Sequence, residues 1–136
     1  MAPYDRPGSV GGVPATALKT ILICEDEAAL RELVRAILGP RYAFAEADRG
    51  EEALELAREV RPDLVVLDLM LPGKSGLEVL AELRSDSVSG ETPVVVVTAW
   101  THAEEAVLKA GADRFIPKPF EPELLQTTVE ELLATR

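Results

Sequence analysis

The stretch Asp63-Leu64-Val65-Val66-Leu67-Asp68-Leu69-Met70-Leu71-Pro72-Gly73 decides how this chain is read. Leu64 to Leu67 is a short, continuous apolar run, the composition of a strand covered on both faces of a parallel sheet. It ends on a carboxylate, Asp68, and Pro72-Gly73 then turns the chain. Open α/β sheets gather their chemistry outside the carboxyl ends of the strands, so Asp68 stands where a site would be. Alone, it reads equally well as a helix cap or a solvated strand end. An earlier apolar run, Ile21-Leu22-Ile23-Cys24, ends in Glu25-Asp26-Glu27, however, and two adjacent parallel strands would bring these acids together.

Outward from that stretch, short apolar runs alternate with helical periodicity, the signature of βαβ units around a parallel sheet. Leu30, Leu33, Val34, Ile37 and Leu38 predict a first helix, stopped by Gly39-Pro40. Tyr42 to Ala47 reads as a more polar strand near a sheet edge. Asp48 and Glu51 have capping-box spacing and open a helix through Ala53, Leu56, Ala57 and Val60 that Pro62 closes. Val65 to Asp68 and Val94 to Thr98 are the central strands. Between them Leu77, Leu80 and Leu83 mark a helix, followed by a polar loop from Ser85 to Thr92. Thr101 and Glu104 form a second capping-box pattern, opening a short helix that stops at Gly111. Arg114-Phe115-Ile116 is a last short strand, and Glu121 to Thr135 the closing helix. The predicted fold is α/β: five parallel strands with five helices on both faces, connected by right-handed crossovers.

The 136 residues suit one domain. Residues 19–136 are assigned to it and 1–18 to a disordered tail, whose Gly, Pro and Ala cannot bury enough surface to fold alone. That start also lacks the charged and apolar regions of a secretory signal. A net charge of −10 disfavours a nucleic-acid surface, which needs clustered Lys and Arg. The single cysteine, Cys24, reads as a core residue, with no disulfide framework and no thiolate metal spacing, which suits a reducing, cytoplasmic location. No apolar stretch reaches the ~20 residues that span a bilayer.

Glu25, Asp26, Asp68, Thr98 and Lys118 all fall at the carboxyl edge of the predicted sheet. Carboxylates about 5 Å apart repel by roughly 3 kcal/mol per pair at an effective dielectric of ~20, so something must offset that cost. A hard divalent cation does so, and all-oxygen ligands suit Mg²⁺. Protonation, or Lys118 acting as counter-ion, are the other offsets, and neither excludes a metal. Two flanking prolines restrict the loop that carries Lys118. Acids, a hydroxyl and a lysine together make a site for a phosphoryl group on a carboxylate. His102, the one histidine, reads as a surface residue and offers no nucleophile pair with Cys24.

In ILICEDE, VVLDLMLPGKSG, VVVVTAW and GADRFIPKPF, in this order and spacing, the chain resembles response-regulator receiver domains, from Lys19 to its end, and is similar to the single-domain chemotaxis regulator. The resemblance implies the flavodoxin-like receiver fold with strand order 2-1-3-4-5. It implies that Asp68 takes a phosphoryl group from a phosphohistidine on a sensor histidine kinase or histidine phosphotransfer protein. Asp26, Asp68 and the main-chain carbonyl of Met70 would bind Mg²⁺ directly, with Glu25 direct or through water. Thr98 and Lys118 would hold phosphoryl oxygens, Phe115 would be the switch aromatic, and the Lys118–Pro119 bond would be cis. Glu25 replaces a commoner aspartate and Phe115 a commoner tyrosine. Trp100, two residues past Thr98, is placed to control water access to the phosphoryl group, or simply to pack on the fourth helix.

The resemblance makes the chain a phosphoacceptor switch and not an enzyme beyond its own phosphorylation and dephosphorylation. With the sequence stopping at Arg136, output is expected from the surface of the fourth helix, fifth strand and closing helix, toward a downstream protein. Leu124, Leu125, Val129, Leu132 and Leu133 give that last helix more apolar surface than one buried stripe needs, enough for a homodimer or a docked partner. Ala28, Arg31 and Arg35 of the first helix would meet the histidine-bearing partner. Two other readings are a receiver-like interaction module that is never phosphorylated and an aspartyl-nucleophile phosphohydrolase. The second is disfavoured because Met70 stands where haloacid-dehalogenase-like enzymes carry a second Asp.

Overall fold

The computed structural model describes residues 18–135. The tail expected over 1–18 therefore lies almost wholly outside the described residues. In chain order the elements are β1 (Lys19–Cys24), α1 (Ala28–Leu38), β2 (Tyr42–Ala47), α2 (Gly50–Val60), β3 (Leu64–Leu67), α3 (Gly76–Ser85), β4 (Val94–Thr98), α4 (Glu104–Lys109), β5 (Arg114–Pro117) and α5 (Pro122–Ala134). A 3-10 turn at Thr101–Ala103 precedes α4. The sheet is entirely parallel with order β2-β1-β3-β4-β5, the expected architecture.

Strand alternation splits the core into two layers. Leu22, Cys24, Val65, Leu67, Val94 and Val96 face α2, α3 and α4, where Ala53, Ala57, Val79, Leu80, Leu83 and Val107 meet them. Ile21, Ile23, Leu64, Val66, Val95, Val97 and Ile116 face α1 and α5, against Val34, Leu38, Leu125, Val129 and Leu132. Burial on both faces is why the β3 and β4 runs are continuous rather than alternating. No helix among the described residues is long and apolar enough to cross a membrane.

The local signals were read unevenly. Neither predicted capping box forms. At α2 the N-cap is Arg49, with no side-chain cap, and the Glu52 carboxylate accepts from the Asp48 N–H at 3.3 Å. The chain past Ala103 enters α4 through the 3-10 turn, which takes Thr101 out of capping position. The true capping box is Ser75 with Glu78 at the start of α3. β3 ends at Leu67, one residue short of Asp68. Leu33, assigned to the buried stripe of α1, is 46% exposed. In α5 Leu125, Val129 and Leu132 are buried and Leu133 packs beside them, so of the expected apolar surplus only Leu124 is exposed.

Candidate functional site

β1 and β3 run side by side with Cys24 opposite Leu67, so the residues that follow, Glu25 and Asp68, emerge together at the carboxyl edge. Main-chain bonds carry the ladder one step past each strand. The Asp68 N–H donates to the Cys24 carbonyl at 3.0 Å, and the Glu25 N–H to that of Ala47 at 3.0 Å. Both side chains are buried, whereas Asp26 is exposed. One carboxylate oxygen each from Glu25, Asp26 and Asp68 lies within 4.8 Å of the others.

Lys118 follows β5, where its N–H donates to the Thr98 carbonyl at 2.9 Å and its bond to Pro119 is cis. From there its Nζ donates to Glu25 Oε1 and to Asp68 Oδ2, both at 2.8 Å. The lysine is therefore the counter-ion of two acids. Met70 N–H donates to the second Asp68 oxygen, Oδ1, at 3.1 Å, and Glu27 N–H to Glu25 Oε2 at 3.1 Å.

These contacts separate the two buried carboxyls. Burial raises both, and for Glu25 it prevails over the Lys118 bond, so its pKa sits above the usual carboxylate range. At Asp68 burial is the largest single effect, but the bonds from Lys118 and the Met70 N–H together outweigh it and hold the group below that range. Asp68 is thus kept as an ionised carboxylate, the form that can act as a nucleophile or a metal ligand. Lys118 shows the mirror image: burial lowers its pKa, but its two acid partners prevail and raise it.

The donor set fits a hard divalent cation. It is all oxygen, and one of its three acids, Asp26, faces an open cleft of about 560 Å³ lined also by Asp48, Arg49, Glu51, Pro72 and Gly73. Thr98 is fully buried at the end of β4, and its Oγ1 accepts the Trp100 N–H at 3.3 Å. Val94 and Val96 point to the α2–α4 layer, so alternation sends the Thr98 side chain to that same side, where half-buried Phe115 also packs. Trp100 is 47% exposed. His102 is exposed.

A family model, the response regulator receiver domain, matches residues 21–130. The chain belongs to that family. The DNA-binding response regulator MtrA of Mycobacterium tuberculosis is 42% identical over 121 residues, which cover 87% of this chain and 52% of MtrA. The chain thus spans about half the length of the curated relatives it matches. A putative response regulator from Chloroflexus aurantiacus superimposes with a TM-score of 0.81 at 32% identity, over 86% of this chain and 98% of that one. The receiver domain of a sensor histidine kinase from Pseudomonas aeruginosa does so with a TM-score of 0.77 at 26% identity, over 87% of this chain and 99% of that one. That structure has a magnesium ion coordinated in its active site cleft. Receivers of this family are phosphoacceptor switches in two-component signalling, work with histidine kinases and bind Mg²⁺ at an acidic cluster.

The structure brings Glu25, Asp26, Asp68 and Lys118 into one cluster, with Thr98 fixed to it through the Lys118 backbone. Sequence reading missed the Met70 N–H as a partner of Asp68. The signal was available: the N–H two places after an Asp at a turn commonly donates to that Asp side chain. Arg49, among the described residues the one cation lining the acidic cleft, is a second residue that sequence reading missed, although it stands between Asp48 and Glu51.

Proposed function

We propose that Asp68 is the phosphoacceptor of this receiver, accepting a phosphoryl group from a phosphohistidine on a sensor histidine kinase or phosphotransfer protein. The observation that carries this is the Asp68 carboxylate itself, buried at the carboxyl edge of β3 and kept ionised by Lys118 and the Met70 N–H. In the transfer an Asp68 oxygen forms the new P–O bond as the P–N bond to the donor imidazole breaks, its electron pair returning to the ring nitrogen. Asp26, Asp68 and the Met70 carbonyl would hold Mg²⁺, with Glu25 direct or through water. When bound, the ion supplies positive charge to the phosphoryl oxygens.

Lys118 already touches Asp68, so a short rotation carries its ammonium to a phosphoryl oxygen. Thr98 Oγ1 accepts the Trp100 N–H, which leaves its own proton to donate to a second one. Moving Thr98 toward the phosphate empties space on the side of the sheet where Phe115 packs, and the ring turns inward. The readout is then the face of α4, β5 and α5, where Leu108 and Leu124 are exposed and available to a downstream protein or a second copy. Leu33 gives α1 an apolar contact for the histidine-bearing partner. Arg31 and Arg35, expected to face that partner, are both paired with Glu46. A cytoplasmic location and a receiver domain over residues 19–136 belong to the same reading.

The test is intact-mass spectrometry after incubation with Mg²⁺ and acetyl phosphate. A labile phosphoryl adduct that is absent from Asp68→Asn supports the reading. No adduct on the native chain would leave a receiver-like interaction module, and turnover of many phosphomonoesters would point to a hydrolase.

A further inference from the structure

Asp48 and Arg49 form the short bridge between β2 and α2, and main-chain bonds on either side fix where it sits. Before it, the Ala47 carbonyl accepts from the Glu25 N–H at 3.0 Å. After it, the Gly50 N–H donates to the Pro72 carbonyl at 3.2 Å. The bridge is thereby braced between the two segments that carry the acidic cluster. It forms one wall of the cleft that reaches from Asp26 across to Pro72 and Gly73.

That cleft lies beside the reacting group and its charge is unfavourable to an anion. Asp26, Asp48 and Glu51 line it, and among the described residues Arg49 is the only cation that does. The Arg49 side chain is 58% exposed, and among the described residues its guanidinium is held by Asp48 Oδ1 alone, at a loose 3.4 Å. It is free to turn toward an incoming ligand, and its planar fork matches a carboxylate or an acyl oxygen.

From this we infer that Arg49 sets the choice of small-molecule phosphodonor, admitting acyl phosphates whose departing group is anionic. The inference rests on Asp68 being the phosphoacceptor. In transfer from acetyl phosphate, an Asp68 oxygen forms a P–O bond while the P–O bond to the acetyl group breaks and the electron pair leaves on acetate. Asp48 and Glu51, which lie outside the proposed Mg²⁺ ligands, repel that developing charge and Arg49 offsets them. In transfer from phosphoramidate, protonated on nitrogen, the Asp68 oxygen forms the P–O bond as the P–N bond breaks and its electron pair leaves on neutral ammonia, so the same cation matters less.

The experiment compares initial rates of Asp68 phosphorylation by acetyl phosphate and by phosphoramidate, with Mg²⁺, in the native chain, Arg49→Gln, Arg49→Lys and Arg49→Glu. Arg49 is a surface residue, and thermal melts of each variant check the fold. The acetyl phosphate to phosphoramidate rate ratio is expected to fall roughly two- to fivefold in Arg49→Gln, the range an exposed charge supports. It falls further in Arg49→Glu, is kept only in part in Arg49→Lys, which retains the charge but not the fork, and the differences shrink at high salt. A ratio unchanged in Arg49→Gln overturns the inference, whether both rates drop or neither does. A native chain that takes no phosphoryl group from either donor overturns the Asp68 assignment and the role of Arg49 with it.

Discussion

Lys118 Nζ reaches across 50 positions of sequence to place 2.8 Å bonds on Asp68 and, 93 positions away, on Glu25, holding together two acids that would otherwise repel. Its side chain is 17% exposed and each carboxylate 7%. Lys118→Gln therefore leaves two nearly buried charges without a partner, at a cost of about 3 kcal/mol, the low end for a broken buried pair because the cleft at Asp26 admits water. A divalent cation supplies the missing charge by binding only the folded state. Urea midpoints with and without Mg²⁺ should rise more in Lys118→Gln than in the native chain. An equal rise in both would mean that Lys118 is not the counter-ion of this cluster.

Gly76 opens α3 directly behind the site. A Cβ there would lie 2.4 Å from Leu69 Cα and 2.5 Å from the Asp68 carbonyl oxygen, both backbone atoms that side-chain rotation cannot move. Gly76→Ala must displace either the helix or the turn that aims Asp68, so it is expected to cost about 2–3 kcal/mol and to slow phosphorylation in whatever folds. Gly39 is the contrasting case. Its φ of 87° and ψ of 179° suit glycine almost alone, so Gly39→Ala should cost about 1–3 kcal/mol, but nothing lies within 4 Å of the added carbon and phosphorylation should be left alone. Phosphorylation rates of the folded variants separate the two, and a Gly39→Ala chain slowed as much as Gly76→Ala would refute the steric account.

Asp86, just past α3, receives Nε and Nη2 of Arg58 at 2.8 and 2.6 Å and the Val88 N–H at 3.0 Å. The Arg58 bonds, opposed only in part by burial, hold its carboxyl below the usual range. Because the folded pKa is depressed, Asp86 contributes stability that is fully present above the unfolded value of ~3.9 and is lost as pH falls through the lower folded value. The stability gap between the native chain and Asp86→Asn should thus be constant near neutrality and close below about pH 4. Arg58→Gln should flatten that dependence. A gap that persists undiminished to pH 3 would exclude the linkage.

What the sequence could and could not yield follows from the range of each interaction. β3 and β4 were legible because burial on both faces leaves an unbroken apolar run, and the turn after Asp68 because Pro72-Gly73 admits few conformations. The acids were legible as strand-end residues once parallel neighbours were assumed. The caps were misjudged because spacing alone does not say which residue leaves helical geometry: Asp48 and Thr101 have partners at the right distance in sequence but lie outside the first turn. Leu33 and the α5 leucines show a further limit, since helical periodicity finds an apolar stripe without saying how wide the opposing layer is. Least visible were contacts that depend on three elements at once. Arg84 is one, with bonds to the Gly90, Thr92 and Gly111 carbonyls and to Asp113 that no local pattern announces. Lys118 differs: its part as counter-ion of the acids was legible from its strand-end place, while its simultaneous bonds to Glu25 and Asp68 exist only after β1, β3 and β5 have assembled.

Trp100 is tied by its main-chain N–H to the Thr98 hydroxyl and is 47% exposed. Hydrolysis of a phosphoryl group on Asp68 needs a water to approach the phosphorus from the side opposite the Asp68 oxygen, and the Trp100 ring, two residues past Thr98, is expected to stand on that approach. A ring there excludes water, whereas a methyl group does not. Trp100→Ala should therefore shorten the phosphorylated lifetime by roughly two- to tenfold, corresponding to about 0.4–1.4 kcal/mol in the barrier. Trp100→Phe should recover much of it. Decay of the phosphorylated mass after donor removal measures both, in the presence of Mg²⁺. Because the side chain is half in solvent, its loss should barely move the denaturation midpoint, which separates a gate from a packing residue. Equal decay in Trp100→Ala and the native chain would remove the gate, and a large fall in stability with unchanged decay would return Trp100 to packing alone.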